Sequence, residues 1–571
     1  PLVKYAALAA LSAVIAVALL KRDLAGFAEQ IAGESSAEPV AIGLAVIASL
    51  AVPGALALGA RLAHGPLRTA GIALSLAGGA ANAIFLQNDY PGVHFFLAWI
   101  SASIAAGSIT GIALPRRLRA TSARSKIARR ITFAAVAIAS LGTIVRWPSN
   151  AVLIELYARD SAVLLPILAR ARARATAGRA AIPPAMAPWF VDRSAAPNIP
   201  PSTPPLLAKD GVVVLLTIDS LRADVMASDS HRRLFPALFK LRDESVSFDR
   251  ARSPGSGTRI TLATVFSGKY FSQLHWTNPL ENRPHLDRDR DVRFPELLVK
   301  AGAATVTYVS EAALESSVGI ARGFTEEQRF QPSGGQRFAL SRELMEAAIA
   351  RLRSHRGGPL FLYMHLMDPH APYDAAGTGG TPRERYLREI ALVDEEVDRL
   401  LRALDETGLA ANAAVVVTAD HGEAFGQHNT PHHNTTLYEE LLRVPLMIRA
   451  PGARPRRVME PVSLVDLGPT VLDLMGVPTP GSFMGESLTP FLRGQDPKLT
   501  RPLLAERRYA QAMIFPDNTK VILDWKKGTE EIYDLERDPA ETRNLCDELG
   551  PVCAERLDVL RAFFLVHGRW R

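Results

Sequence analysis

Cysteine is scarce in this sequence. Only Cys546 and Cys553 occur among its 571 residues, and both lie near the C-terminus. Two cysteines can form at most one cross-link, so a chain of this length depends on a large hydrophobic core for its fold and not on a framework of disulfides. If this end of the chain meets an oxidising compartment, the two can form one small disulfide; otherwise they stay as free thiols.

A broad basic surface is also missing. The formal net charge is +7, but many basic side chains are concentrated in one short stretch, residues 116–130, between two apolar segments. Such a cluster is typical of a cytoplasmic loop in a membrane protein and does not indicate nucleic-acid binding. We therefore expect a membrane, and no nucleic acid, among the partners.

Apolar segments of spanning length occur five times in residues 1–150. They lie at about 2–20, 40–60, 70–87, 94–114 and 131–145, and none resembles a cleavable signal peptide because further spans follow the first. The positive-inside rule places the arginine-rich loop, and the loop with Arg61 and Arg68, in the cytoplasm. The sequence thus predicts a multi-pass protein of the cell (inner) membrane, with everything after residue 145 periplasmic or extracellular.

Residues 151–205 connect this membrane domain to the rest of the chain. Their first part alternates apolar and arginine positions, which suits a helix lying on an anionic membrane surface or, equally, a solvated charged face. Residues 183–205 are too rich in proline for helix or sheet, so we predict a semi-extended tether.

Residues 206–571 alternate predicted strands and helices. The β-branched runs that begin at Gly211, Ala304, Pro359 and Asn412 lack strict alternation, which is typical of strands buried on both faces of a largely parallel sheet. Amphipathic helices lie between them, including one that ends at Gly408. We predict an extracytoplasmic α/β domain with a smaller C-terminal α+β part from about residue 500.

Ionisable side chains follow three of these four runs. They are Asp219 after the first, His365, Asp368 and His370 after the third, and Asp420 and His421 after the fourth. Ligands of α/β sheets bind beyond the carboxyl ends of strands, so this convergence predicts a site. Asp219, Asp420 and His421 offer two carboxylates and one imidazole, which suit Zn²⁺ or Mn²⁺ better than Ca²⁺. The alternative is a helix cap at Asp219 and a polar turn after the fourth run.

The stretch "SPGSGTRITLATVFSGKY" joins hydroxyls and glycines to an apolar helical run. Thr258 begins the predicted helix, where free backbone amides and the helix dipole stabilise anions. Its hydroxyl can act as a structural cap. Bound to a metal, it can also lose its proton and attack phosphorus or sulfur.

Several motifs, in order, resemble the sulfatase-like branch of the alkaline phosphatase superfamily. They are "LTIDSLRADVM", the Gly-rich turn, "TADHGEAFGQHN", "LLRVPLMIRAPG" and "EEIYDLERDPAETRNL", within about residues 212–545. Arylsulfatases of that branch oxidise a motif cysteine, sometimes a serine, to formylglycine, and carry a Thr-Gly pair ten residues further on. Counting back from Gly268 places Thr258 at that position, and Leu262 and Ser220 replace the family's arginine and second aspartate. These departures argue against a conventional calcium sulfatase.

Phosphoethanolamine transferases and lipoteichoic acid synthases of the same superfamily use a threonine nucleophile, and the former have a stretch similar to "GSGTRITLATVFS". The resemblance implies a metal site formed by Asp219, Thr258, Asp420 and His421. It also implies that His370 and His433 lie on the substrate side.

The resemblance to these transferases is incomplete. They place a glutamate where this chain has Asp219, and Pro254 and Thr264 replace their cysteine pair. The tail is more typical of sulfatases.

The other candidates are assigned weaker roles. His365, His428 and His432 can each join the site, lie behind it or lie on the surface. Arg222 and Asp224 are expected to tie their turn together rather than contact substrate, and Trp276 to pack in the core rather than line the pocket.

The leading hypothesis is a membrane-anchored metal enzyme, with Zn²⁺ favoured over Mn²⁺ or Ca²⁺. It transfers or hydrolyses a phosphoethanolamine- or phosphoglycerol-type group through a covalent Thr258 intermediate, acting on a membrane lipid or an envelope glycan. The alternative is a sulfuric-ester hydrolase acting on an extracytoplasmic glycan or lipid. A third hypothesis is a catalytically silent sensor or scaffold. The sequence does not specify donor, acceptor or oligomeric state.

Overall fold

The computed structural model describes residues 181–276, 285–333, 335–524 and 527–567. The five predicted membrane spans, and the basic segment that follows them up to residue 180, lie outside the described residues. Within the described ranges, no helix is both long and apolar enough to cross a membrane.

The strands are short, and those at the centre are entirely buried. They are β1 (Val212–Ile218), β2 (Val246–Phe248), β3 (Ala251–Arg252), β4 (Ala304–Val309), β5 (Glu326–Arg329), β6 (Leu360–Leu366), β7 (Ala413–Thr418), β8 (Leu446–Arg449), β9 (Arg456–Val458), β10 (Val462–Ser463), β11 (Leu503–Arg507), β12 (Ala510–Ile514), β13 (Thr519–Asp524) and β14 (Thr529–Asp534). Every residue of β1, β6 and β7 is buried, as expected for strands covered on both faces.

The helices vary from one turn to seven. They are α1 (Ala223–Ala227), α2 (Pro236–Asp243), α3 (Thr258–Ser267), α4 (Phe294–Lys300), α5 (Ser341–Arg353), α6 (Pro382–Glu406), α7 (Glu439–Leu442), α8 (Leu467–Leu474), α9 (Thr489–Leu492) and α10 (Gly550–His567). The predicted amphipathic helix is α6. It begins with a reciprocal cap between Thr381 and Glu384 and is followed by Gly408 at φ 74°, a left-handed conformation that glycine adopts without strain.

One eight-stranded sheet forms the centre of the domain, in the order β5-β4-β6-β1-β7-β8-β2-β9. Neighbouring strands are parallel except at β8, which runs antiparallel to both β7 and β2. The prediction of an α/β domain is confirmed, but the sheet is mixed. The difference arises between β7 and β8, where the connection contains only the one-turn helix α7 and a short 3-10 helix at Gln427–Asn429. A parallel neighbour generally requires a crossover helix.

The C-terminal part is a four-stranded antiparallel sheet, β11-β12-β13-β14, with α10 packed against it. Cys546 and Cys553 are joined by a disulfide bond with their Cα atoms 5.3 Å apart, within the usual range for such a bond. The structure therefore favours the disulfide of the two alternatives left open by the sequence.

The proline-rich segment docks onto the domain. Met186, Trp189 and Phe190 are buried, and Ser202 donates hydrogen bonds to the carboxylate of Asp473 through its backbone N–H, at 2.6 Å, and its hydroxyl, at 2.9 Å. Proline content alone gives no sign of this docking, because the contacts come from the apolar residues between the prolines.

Candidate active site

Three buried side chains converge near the carboxyl ends of β1, β6 and β7, which are neighbours in the sheet. Asp219 follows β1, His365 lies near the end of β6 and Asp420 follows β7, and one ligand atom of each lies within 4.8 Å of the others. Nε2 of His365 is 3.4 Å from Oδ2 of Asp219 and 4.0 Å from Oδ2 of Asp420. The predicted convergence of strand ends is therefore present.

Thr258 and His421 complete this cluster. Nε2 of His421 lies 3.3 Å from Oδ2 of Asp420 and 3.3 Å from Oγ1 of Thr258. The threonine hydroxyl also donates a hydrogen bond of 3.3 Å to Oδ2 of Asp219. Thr258 is the first residue of α3, and Gly257 occupies the cap position before it. Its hydroxyl thus faces the cluster.

The turn before α3 is held in place by a distant loop and by strand β11. The backbone N–H of Asn434 donates to the carbonyl of Ser256 at 2.6 Å, and that of Glu506 donates to the carbonyl of Pro254 at 2.9 Å. A Cβ at Gly257 would lie 3.0 Å from the side chain of Asn434. The close approach of the loop that carries Asn434 therefore favours glycine at the position before Thr258.

Ser220 orients both aspartates. Its hydroxyl donates to Oδ1 of Asp219 at 2.6 Å, and its backbone N–H lies 3.3 Å from Oδ1 of Asp420. The backbone N–H of His421 donates to the same oxygen of Asp420 at 2.9 Å. One oxygen of each carboxylate is thereby occupied, and the other oxygen, Oδ2, faces the cluster.

The cluster fits a divalent cation. Nε2 of His365 and Oδ2 of Asp420 are buried and make no hydrogen bond within the part of the chain that the structure describes. Unsatisfied buried polar atoms are costly unless a ligand satisfies them. Two carboxylate oxygens and imidazole nitrogens form a ligand set typical of Zn²⁺ or Mn²⁺.

The carboxylates and the imidazoles of the cluster shift each other's pKa toward the charged form. Burial alone would raise the pKa of Asp219, but His370, His365 and His421 outweigh burial and hold this pKa well below its usual value. Burial opposes charge on His365, yet the carboxylate of Asp219, 3.4 Å from Nε2, and the charge of Asp420 raise the pKa of His365. The carboxylates of the cluster thus favour a positive charge beside them, which a bound cation would also supply.

His370 and His433 lie side by side, with ring centroids 5.1 Å apart, and His433 stacks on His421 at 4.3 Å. Nδ1 of His433 contacts both carboxylate oxygens of the buried Glu423 at 3.2 and 3.1 Å. Against the effect of burial, Glu423 raises the pKa of His433, whereas burial lowers the pKa of His370. Both histidines are therefore placed beside the predicted metal ligands, with opposite tendencies to hold a proton.

Sequence reasoning left His365 undecided and gave Glu423 no role. His365 is fully buried in the cluster, and its position at the end of β6 was the available signal. Glu423 follows the Asp-His-Gly motif, and only the tertiary structure brings it to His433. Tyr373 donates a 2.7 Å hydrogen bond to the same carboxylate.

The remaining candidates have structural roles. Arg222 and Asp224 form the expected ion pair at 2.9 Å, and Trp276 packs on Phe271 as expected. His428 pairs with Glu440 at 2.8 Å, and His432 is exposed. Neither histidine belongs to the cluster around Asp219.

Two protein-family models match parts of this chain. Residues 212–477 match the family model "Sulfatase", and residues 428–555 match the model "N-sulphoglucosamine sulphohydrolase, C-terminal". Residues 212–477, which contain the eight-stranded sheet and the cluster, are thus similar to sulfatases, and residues 428–555, which include the C-terminal sheet, are similar to the C-terminal part of that sulphohydrolase.

Three proteins with similar sequences are named as sulfatases. The delta 4,5-hexuronate-2-O-sulfatase of Bacteroides thetaiotaomicron is 30% identical over 171 residues, which are 28% of this chain and 35% of the relative. The choline-sulfatase of Rhizobium meliloti is 30% identical over 194 residues, 32% of this chain and 37% of the relative. The steryl-sulfatase of Mus musculus is 29% identical over 280 residues, 40% of this chain and 44% of the relative. The chain therefore spans less than half the length of these relatives.

Solved structures show the same fold. The phosphonate monoester hydrolase of Agrobacterium radiobacter matches with a TM-score of 0.50 and 20% identity, covering 62% of this chain and 95% of that chain. A 2-O GAG sulfatase matches with a TM-score of 0.50 and 18% identity, covering 62% and 92%. None of the relatives named here is a phosphoethanolamine transferase, so that resemblance gains no support from them.

Proposed function

We propose that the domain is a metal-dependent hydrolase of sulfuric or phosphoric esters that forms a covalent intermediate on Thr258. The position of the threonine hydroxyl carries this proposal. Oγ1 lies 3.3 Å from both Asp219 and His421 at the first turn of α3. A hydroxyl at such a position can be deprotonated by its neighbours, and the free amides of the helix N-terminus can hold the ester oxygens.

Asp219, Asp420 and His421, with His365 beside them, are the residues that would hold the cation. Zn²⁺ or Mn²⁺ suits this mixed set of oxygen and nitrogen donors better than Ca²⁺ does. When bound, the cation supplies Lewis acidity toward the ester oxygen and lowers the pKa of the threonine hydroxyl.

His433 is assigned as the proton donor to the leaving group. Its contact with the buried Glu423 favours the imidazolium form, and its ring stacks on His421 beside Thr258. His370, on the other side of His433, is suited to hydrogen-bond an ester oxygen of the substrate.

Sulfate esters are the favoured substrate class. The curated relatives are named for the sulfates of a hexuronate, of choline and of a steroid, which supports a sulfated glycan or lipid. Attack by the threonine on sulfur would release the alcohol, and a water molecule would then release sulfate from the enzyme.

Phosphoryl chemistry is the second candidate, and one observation favours it. Thr258 occupies the position where the resemblance to arylsulfatases implies a cysteine or serine, and threonine cannot become formylglycine. A phosphothreonine intermediate passes its group to water or to an acceptor hydroxyl without that modification. The acceptor would decide between hydrolysis and transfer.

We further infer that residues 1–150 anchor the enzyme in a cell membrane with the domain outside the cytoplasm. The five apolar segments and the arginine-rich loop support this topology. The Cys546–Cys553 disulfide is in keeping with an oxidising compartment. A lipid or envelope glycan substrate would then lie within reach.

To test this, the purified full chain is incubated with Zn²⁺ or Mn²⁺ and with one ester at a time. The esters are 4-nitrophenyl sulfate, 4-nitrophenyl phosphate and bis(4-nitrophenyl) phosphate, and acid-quenched protein is weighed by mass spectrometry. We expect an added sulfo or phospho group on wild type and on Thr258→Ser, but not on the isosteric Thr258→Val. Turnover by Thr258→Val at the wild-type rate would contradict the mechanism. No turnover and no bound metal in the wild type would favour a ligand-binding role instead.

A further inference from the structure

A hydrogen-bonded chain of buried side chains lies directly behind His365. Nδ1 of His365 lies 2.6 Å from Oγ1 of Thr217, and the same oxygen lies 3.0 Å from the hydroxyl of Tyr363. It also lies 3.3 Å from the backbone carbonyl of Met364. The side chains of Thr217, Tyr363 and His365 are all buried, so no solvent competes for these contacts.

The sheet itself brings these side chains together. Thr217 of β1 is in register with His365 of β6, and Tyr363 lies two residues before His365 on the same strand. Alternate residues of a strand share a face, so Tyr363, Thr217, His365 and Asp219 belong to one face of the sheet. Helix α3 covers this face, because the ring of Phe266 packs edge-on against Tyr363 at 5.0 Å.

One arrangement of protons satisfies all three contacts of Thr217. The hydroxyl has one proton and two lone pairs. If it donates to the carbonyl of Met364, it can accept from Tyr363 and from Nδ1–H of His365, and each of its three positions is used. This arrangement leaves Nε2 of His365 without a proton and directed at Asp219 and Asp420. The opposite arrangement would put the proton on Nε2, where a cation could not bind.

We propose that Thr217, supported by Tyr363, is the positioning residue that holds His365 as a metal ligand through Nε2. The inference rests on the metal site assigned under the proposed function. Thr217 does not contact the metal or the substrate; it acts by fixing the proton on Nδ1 and the orientation of the ring. Partners of this kind typically change metal affinity by about 10- to 100-fold.

Two pairs of substitutions isolate the hydroxyls. Thr217→Val keeps the shape of the side chain and removes its hydroxyl, whereas Thr217→Ser keeps the hydroxyl. Tyr363→Phe keeps the ring that packs on Phe266 and removes the hydroxyl that contacts Thr217. His365→Ala provides the reference for complete loss of the ligand.

The experiment titrates the metal-free full chain with Zn²⁺ against a chromogenic chelator and records the visible absorption of the Co²⁺ form. We expect the Zn²⁺ dissociation constant of Thr217→Val to rise by about 10- to 100-fold, Thr217→Ser to stay close to wild type, and Tyr363→Phe to lie between. The Co²⁺ spectrum of Thr217→Val should resemble that of His365→Ala, because the ligand is lost in both.

The outcomes separate the two proposals. If the wild type binds no Zn²⁺, the metal site itself is refuted. If the wild type binds Zn²⁺ and Thr217→Val binds it equally tightly with the wild-type Co²⁺ spectrum, only the role of Thr217 is refuted. Should Thr217→Val fail to fold, Tyr363→Phe decides in its place, and wild-type affinity and spectrum in that variant overturn the proposal.

Discussion

Glu423 shows how a single buried carboxylate can set the chemistry of a neighbouring ring. Its two oxygens contact Nδ1 of His433, and it also accepts a hydrogen bond from Tyr373. The sequence analysis marked His433 but had no means of choosing its partner, since ten residues separate the two and both follow β7 in an irregular loop. Side-chain pairing across a loop depends on how the loop folds back, which local pattern does not encode.

Replacing Glu423 should move the pH dependence of the reaction. With the carboxylate present, the pKa of His433 is raised, so the proton donor stays protonated to higher pH. In Glu423→Gln this support is lost, the pKa of His433 falls, and the alkaline decline of kcat moves to lower pH. Rates measured from pH 5 to 9 check this. A pH profile with an unmoved alkaline limb would show that His433 is not the donor.

At the level of elements, the C-terminal sheet is tied to the main domain by a buried charge network. Lys520 of β13 lies 3.2 Å from Glu439 of α7 and 2.7 Å from Glu541, and Arg252 of β3 lies 2.9 Å from Glu439. Despite burial, Arg252 and Lys520 lower the pKa of Glu439 to about 2. Both cations therefore stabilise the ionised form of Glu439.

Removing the lysine should destabilise the domain. Lys520→Met leaves two buried carboxylates with only Arg252 to compensate, and breaking a buried ion pair typically costs about 3–5 kcal/mol. Urea unfolding of the full chain, followed by tryptophan fluorescence, measures the loss. The control is Lys498→Met, because Lys498 is 88% exposed in its pair with Glu460 and should change the midpoint little. Equal midpoints for the two variants would argue against the network.

Strand β11 carries the buried side chain of Glu506, which accepts a hydrogen bond from the backbone N–H of Ser272 at 2.9 Å. Burial raises the pKa of Glu506 to about 7. The folded state therefore binds this proton more tightly than the unfolded state does. The stability that this tighter proton binding adds is fully present at a pH below the pKa of Glu506 in the unfolded chain. It is lost as the pH rises through the folded-state pKa of about 7.

Glu506→Gln should accordingly be more stable than wild type at pH 8 by on the order of 2–3 kcal/mol, and the gain should shrink at pH 5. Urea midpoints at both pH values test this, with the exposed Glu536→Gln as the control. A gain that does not depend on pH would mean that Glu506 is ionised throughout in the folded protein.

For the whole molecule, the predicted topology has a direct test. Protease added to intact spheroplasts should release the domain that follows residue 180, while the arginine-rich loop at residues 116–130 stays protected until the membrane is opened. The reason is the unequal distribution of positive charge across the predicted spans. Recovery of the full chain in the soluble fraction would contradict the membrane assignment.

Local sequence determined much of this protein. Unbroken apolar runs predicted the strands β1, β4, β6 and β7, because full burial on both faces removes the need for alternation. The ionisable residues that follow those runs predicted the position of the site, and Thr258, Asp219, Asp420 and His421 meet there. The strand predictions are confirmed, and Asp219, Asp420 and His421 lie together because parallel neighbours present their carboxyl ends along one edge of the sheet.

Only the tertiary structure decided the rest. The antiparallel β8 depends on how a long connection returns to the sheet. The place of His365 in the cluster, its contact with Thr217 and the pairing of Glu423 with His433 depend on which strands become neighbours and how loops fold back. Side chains far apart in sequence interact through contacts that no local periodicity specifies, so the sequence predicted which strand ends meet and only the fold decided which side chains touch there.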